Sequence, residues 1–227
     1  MIKLINDDFL NAIPKLENNS VSLFLIDIPY NISRENNFKS MKDRENRVGI
    51  DFGEWDKNFN ELNLNILIPK LKKGGSILIW SAFEQFNIVS RAFDELVLKD
   101  KLIWEKSNPM PRNRDRRYVS NVELCTWYIK KGKKWTYNRQ SETYEGCVLK
   151  YPSESGGGHV RYHPTQKNLK MIEHLVKIHS NENDLVVDCF MGGGTTGVAC
   201  KKLNRNFIGI EIDIKYYEIS KERIENS

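Results

Sequence analysis

The chain is short of the residues that build metal or disulfide proteins. Its four cysteines, Cys125, Cys147, Cys189 and Cys200, stand at scattered spacings without a C-x-x-C pair. That excludes a zinc knuckle and a disulfide framework and fits a reducing compartment. The four histidines, His159, His163, His174 and His179, lack H-E-x-x-H spacing, so no metal centre is expected. Long apolar runs are missing too. Val21 to Ile26 and Ser76 to Trp80 fall far short of the roughly 20 residues a membrane helix needs, so no span is expected. Met1 to Asp8 has neither the basic start nor the apolar stretch of a secretory signal, which points to a cytoplasmic location. No internal repeat or low-complexity tract is evident. With 40% hydrophobic and 11% aromatic residues, the chain has enough apolar surface to offset its ordering entropy, which excludes wholesale disorder.

What is present is a series of strands and helices, in 227 residues that fit one compact core. Residues 1–6, 21–26 and 75–80 read as buried strands, with a short helix from about Asp8 and helical patterns at about 61–71 and 83–97. A strand follows at 101–106, then an alternating segment, 122–130, that pairs in this reading with 135–138. A helix at about 167–179 carries Leu169, Ile172, Leu175, Val176 and His179 on one stripe. The C-terminal end is the most regular: strand 184–189, helix 195–203, strand 206–211, helix 214–225. Such alternation predicts an α/β fold, a Rossmann-like, mostly parallel sheet covered by helices on both faces.

Three stretches resist that pattern. Asn31 to Ile50 is polar and without periodicity, which suggests a lid or loop. Residues 107–121 hold Pro109 and Pro111, then Arg112, Arg114, Arg116 and Arg117. From Lys99 to Lys150 there are thirteen Lys or Arg and six Asp or Glu, a net of +7 against +5 for the whole chain, so the basic excess is local. Gly156 to Gly158 reads as a hinge. The predicted organisation is therefore a main body, residues 1–106 and 159–227, with a small inserted basic segment at 107–158 as the candidate for recognition. In that segment Asn108 and the four arginines are the candidate DNA-binding residues, suited to phosphates or guanine edges, and Trp127, Trp135 and Tyr137 are expected to form a small core beneath them.

Two motifs carry chemistry. Strand 184–189 runs into Asp188-Cys-Phe-Met-Gly192-Gly-Gly194-Thr195-Thr-Gly197 and then a helix, where glycines let the backbone turn tightly and approach a ligand at a helix N-terminus. At the end of the next strand Glu211, 17 residues after Gly194, is placed to accept both hydroxyls of a ribose. Only 33 residues follow Gly194, so most of the sheet must come from the N-terminal half. That permuted order disfavours a nicotinamide dehydrogenase. The second motif, Asp27-Ile28-Pro29-Tyr30, closes the strand at 21–26. There a carboxylate and a backbone carbonyl suit the amino protons of a flat ring, and Tyr30 suits its face.

Together these residues carry a resemblance. Asp27-Ile-Pro-Tyr30 resembles the D-P-P-Y motif of S-adenosylmethionine-dependent DNA amino-methyltransferases, and Asp188 to Thr196 resembles their cofactor motif. His163-Pro-Thr-Gln-Lys167 and Trp104 to Pro111 are similar to segments of the permuted β class. Residues 51–56 and 108–112 resemble small adenine-modifying enzymes of type IIS restriction systems. The resemblance covers nearly the whole chain and implies a permuted class I methyltransferase fold. It implies that Asp27 and the carbonyl of Ile28 hold the target amine, Pro29 stiffens the turn and Tyr30 stacks on a flipped base. It further implies that Asp188, Phe190, Gly192, Gly194, Thr195 and Glu211 line the cofactor, with Asp8 on its adenine and His163, Thr165 and Lys167 completing the pocket. Two positions depart from the pattern: Ile28 for the second-position proline, which adds an N–H, and Asn168 for the proline after Lys167.

The expected reaction is methyl transfer from S-adenosylmethionine to a base amine in double-stranded DNA. Methylation at cytosine C5 is disfavoured, because no proline of the seven precedes a cysteine. Asp at position 27, a family regularity, points to adenine N6. Cytosine N4, an RNA or protein amine, and a non-catalytic nucleic-acid-binding module stay open on the sequence. A homodimer and a companion restriction endonuclease are expectations for the class.

Overall fold

In a computed structural model the residues described are 1–30, 63–109, 118–154 and 162–227. Asn31 to Ile50, residues 51–56, Arg112, Arg114, Arg116, Arg117 and the Gly156–Gly158 hinge lie outside them. The chain orders its elements as β1 (Ile2–Asn6), α1 (Phe9–Ala12), β2 (Val21–Asp27), β3 (Leu71–Ser81), α2 (Phe86–Ala92), β4 (Val97–Lys106) and β5 (Val122–Ile129). Then come β6 (Val148–Tyr151), α3 (Leu169–His179), β7 (Leu185–Asp188), α4 (Thr195–Lys202), β8 (Asn206–Glu211) and α5 (Ile214–Glu225). One eight-stranded sheet runs β1-β8-β7-β2-β3-β5-β4-β6, parallel except where β5 runs against both of its neighbours.

Alternation along β2 assigns the two layers. Phe24, Ile26 and Ile28 face α1, α2 and the 3-10 turn at Leu64–Leu67 in one apolar cluster. Leu23 and Leu25 face α3, α4 and Ile224 of α5 in the other. The α/β class, the permuted order and the C-terminal strand–helix series are thus as the sequence predicts. The extra N–H of Ile28 finds a place in the sheet, donating to the Trp80 carbonyl at 3.2 Å and carrying the β2–β3 ladder past Asp27. Asn168 caps α3, its side chain accepting from the Met171 N–H at 3.0 Å, so the helix starts without the family's proline.

Several expectations need correction. The segment 135–138 does not pair with β5, because both edges of β5 are already taken by β3 and β4. Asn138 instead ties this segment to the end of α3, donating to the carbonyls of Lys177 and Ser180 at 3.1 and 3.0 Å. The helical pattern at 61–71 yields a 3-10 turn and, by Leu71, the start of β3, paired with Val21. That at 83–97 stops at Ala92, and Val97 is already paired with Ile129. Strand pairing, a long-range gain, overrides the local helical period in both places. Trp127 meets the buried His179 of α3 edge-on and belongs to the cluster under α3, with Trp135 packed against it, while Tyr137 stacks on Trp127 from the exposed side. Strands β5 and β6 both fall within 107–158 and both belong to the central sheet.

Every strand but β5 ends at one edge of the sheet, and β5 begins there. This carboxyl edge gathers Asp8, Asp27, Asp188 and Glu211. It is the edge at which ligands bind in open α/β sheets, and β7 and β2, the strands that feed the two motifs, are neighbours in its middle.

Candidate active site

The glycine turn is held by its own polar neighbours. Gly192 and Gly194 take φ of 50° and 75°, in the left-handed region that glycine enters without strain. Asp188 Oδ1 accepts from the Phe190 N–H at 3.1 Å and its Oδ2 from the Thr196 hydroxyl at 2.7 Å. Arg223 of α5 donates to the Gly193 carbonyl at 2.7 Å and to Thr195 Oγ1 at 3.1 Å, and its guanidinium lies over the Tyr162 ring. The ring of His163 lies against the turn, edge-on to Tyr216, and its Nδ1 is within 3.1 Å of Thr165 Oγ1. The sequence marked Asp188, Gly192, Gly194, Thr195, His163 and Thr165, and the fold brings all of them together here. Arg223, which locks the turn from a different helix, carries no local signal in the sequence.

Glu211 receives the Gly192 N–H on Oε2 at 2.7 Å and the Asp213 N–H on Oε1 at 2.9 Å. Each oxygen keeps accepting capacity, which suits two ribose hydroxyls. Asp8 spends one oxygen capping α1, accepting from the Leu10 N–H at 2.8 Å, and Phe9 lies 5.0 Å from Phe190, ring to ring. Carboxylates beside a glycine turn and an aromatic wall fit a cofactor with an adenosine part and a positively charged end.

Burial raises the pKa of Asp188 from its ordinary 3.8 to about 7. The folded protein therefore binds a proton that the unfolded chain releases, and stability falls as pH rises between those two values. Asp188→Asn is expected to flatten that part of the curve, read as the difference in melting temperature between variant and wild type across pH.

The tetrapeptide is anchored by side chains from three other parts of the chain, Gln85, Glu123 and Lys167. Pro29 offers its carbonyl to the buried amide of Gln85 at 2.7 Å, and Gln85 Oε1 accepts the Ala82 N–H at 2.9 Å. Lys167 places its ammonium 2.5 Å from Asp27 Oδ2, 3.0 Å from Glu123 Oε2 and 3.3 Å from the Tyr30 hydroxyl. Tyr30 donates to Glu123 Oε2 at 3.2 Å, and Glu123 Oε1 pairs with Lys106 at 2.5 Å. Asp27 Oδ1 is sealed from solvent and has no hydrogen-bond partner among the described residues. Two readings change as a result. Lys167, expected in the cofactor pocket, bonds Asp27 and Tyr30, and Glu123, Lys106 and Gln85 join the surroundings of this tetrapeptide, a grouping that the sequence reasoning missed. Asn108, an exposed residue, receives the Ser153 N–H at 2.6 Å and donates to the Ser153 carbonyl at 3.1 Å.

A glycine turn and an acidic tetrapeptide at neighbouring strand ends of a permuted sheet define a class I methyltransferase. The chain belongs to the DNA methylase family (N6_N4_Mtase), whose model matches residues 21–222. Among its relatives, the type II methyltransferase M2.LlaDCHI of Lactococcus lactis subsp. cremoris is 29% identical, covering 97% of this chain and 88% of the relative. The type II methyltransferase M.HinfI of Haemophilus influenzae is 31% identical, covering 99% of this chain and 71% of its own. The crystal structure of the M1.HpyAVI–SAM complex superposes with a TM-score of 0.77 at 33% identity, covering 99% of both chains. The chain is a DNA methyltransferase that uses S-adenosylmethionine. Among the described residues no helix is long and apolar enough to cross a membrane.

Proposed function

We propose that the enzyme methylates the exocyclic N6 amine of an adenine flipped out of a specific short DNA sequence, within a restriction-modification system. The observation that carries this reading is Asp27 Oδ1, a carboxylate oxygen left without a hydrogen-bond partner among the described residues, at the ligand-binding edge. When bound, S-adenosylmethionine supplies an electrophilic methyl group on a sulfonium.

The amine of a base is a poor nucleophile, because its lone pair is delocalised into the ring. Asp27 Oδ1 and the Ile28 carbonyl accept its two N–H groups, favouring a pyramidal nitrogen whose lone pair is localised. Tyr30 stacks on the base, its hydroxyl fixed by Glu123. Positioning and fixed charge supply the acceleration, and no covalent enzyme intermediate is required. Glu211 takes the ribose, Asp8 the adenine, and Gly192, Gly194 and Thr195 the methionine part. Arg112, Arg114, Arg116 and Arg117, which follow β4 in the chain and lie outside the described residues, are assigned to DNA phosphates and guanine edges, and Asn108, just after β4, to the same role. The association with restriction rests on the type II names of the relatives.

The test is to incubate the protein with unmethylated DNA and labelled S-adenosylmethionine, digest to nucleosides and identify the product by mass spectrometry. N6-methyladenine is expected. N4-methylcytosine would overturn the base assignment while keeping the chemistry. The cytosine-N4-specific PvuII enzyme shares the fold, with a TM-score of 0.74 at 19% identity, so fold alone does not choose.

A further inference from the structure

We propose that Lys167 and Glu123 are positioning residues for methyl transfer. Lys167 occupies Asp27 Oδ2, while Glu123 anchors both Lys167 and Tyr30, so that Asp27 presents Oδ1 alone to the target amine. The inference rests on the reading of Asp27 as the amine acceptor.

The geometry is a chain of alternating charge: Asp27, Lys167, Glu123, Lys106, with contacts of 2.5, 3.0 and 2.5 Å. Two anions and two cations leave the cluster neutral, which is the condition for keeping ionised groups in so buried a place. Lys167 is only 6% exposed, and its ammonium also lies over the rings of Tyr30 and Trp80, so it has little freedom to move away. Burial holds the pKa of Asp27 above the ordinary carboxylate value; the charge of Lys167 works against that rise and the charge of Glu123 adds to it. A protonated Asp27 would have one oxygen turned into a donor, which repels the N–H it should accept. The remaining titratable groups near Asp27 are Tyr30, Cys125 of β5 and Asp188 of β7; burial pushes all three towards their neutral forms. Glu123 stays charged, drawn down to about 2 by Lys167 and Lys106.

The two partners of Lys167 compete for it, and this yields opposite effects. Without the ammonium, Asp27 takes up a proton more readily, so the acid limb of the rate profile moves to higher pH. Without the charge of Glu123, Lys167 serves Asp27 alone, and the limb moves to lower pH.

The experiment measures single-turnover methylation of DNA across pH for the wild type, Lys167→Met, Lys167→Arg and Glu123→Gln, with S-adenosylmethionine affinity by calorimetry. Lys167→Met is expected to slow transfer on the order of a hundredfold and shift the limb upward. Lys167→Arg should restore most of the rate, Glu123→Gln should shift the limb downward, and cofactor affinity should stay within about threefold. Limbs that do not move, limbs that move the same way, or a loss confined to cofactor affinity would overturn the proposal. If Lys167→Met does not fold, the limbs of Lys167→Arg and Glu123→Gln decide it. An Asp27→Asn variant as active as the wild type would instead sink the underlying reading of Asp27.

Discussion

Asp27→Asn is expected to lower the single-turnover rate of methyl transfer on the order of a thousandfold while cofactor affinity changes little. The variant is nearly isosteric, so the fold has no reason to change. What it removes is a full negative charge, and it risks turning an N–H towards the amine where an acceptor is needed. Lys167, 2.5 Å from the other oxygen, would then be left beside a neutral amide with only Glu123 for charge balance. Removing one partner of a buried pair is costly to stability as well, so thermal melts belong beside the kinetics. Equal rates for variant and wild type would move the amine acceptor to a different residue.

Gly194→Ala is expected to cost about 2–4 kcal/mol, from two separate causes. At φ of 75° an L side chain is strained, and the new Cβ would stand 2.9 Å from Ser220 Cβ and 3.2 Å from its Cα. Backbone of α5 cannot step aside as a side-chain end can. A loss of that size lowers the melting temperature by roughly 5–15 °C in a domain of this length. Cofactor affinity should fall with it, because the turn that Gly194 shapes is the one braced by Glu211 and Arg223. Gly197→Ala offers a contrast. Its Cβ would meet the end of the Ile224 side chain at 2.3 Å and the Phe207 ring at 2.8 Å, with no strained φ. A smaller loss, about 1–3 kcal/mol, is expected there, with cofactor affinity largely kept. Equal melting temperatures for Gly194→Ala and wild type would show that α5 is free to shift.

The parts of the structure that were legible in the sequence are those governed by near neighbours. Strand, glycine turn, helix and strand from 185 to 225 announce themselves by period and punctuation, and Asp27 is marked by standing at a strand end before a proline. The cap of α3 by Asn168 was equally local. Glu123 was not legible, since an acid in an alternating strand usually faces water. Its role exists only because β5 slots between β3 and β4 and so carries Glu123 to the end of β2. The bond of Lys167 to Asp27 was not legible for a related reason. Lys167 precedes the cofactor turn in the chain, yet its bond is to a residue 140 positions away. The four-residue strand β6 was too short to stand out, and it exists only as a partner to β4.

The pairing of β4 with β5 has a consequence for how such an enzyme changes its target. The backbone N–H of Lys106 donates to the Asn121 carbonyl at 2.7 Å, so the end of β4 and the residue before β5 lie side by side. Lengthening a loop with fixed ends adds little entropic cost, about 0.6 kcal/mol per doubling. A foreign connection of different length and sequence can therefore be spliced between those two residues without disturbing strand register. On the proposed assignment of the arginines to DNA, sequence preference would then be an exchangeable cassette, mounted on a frame that has no need to change with it.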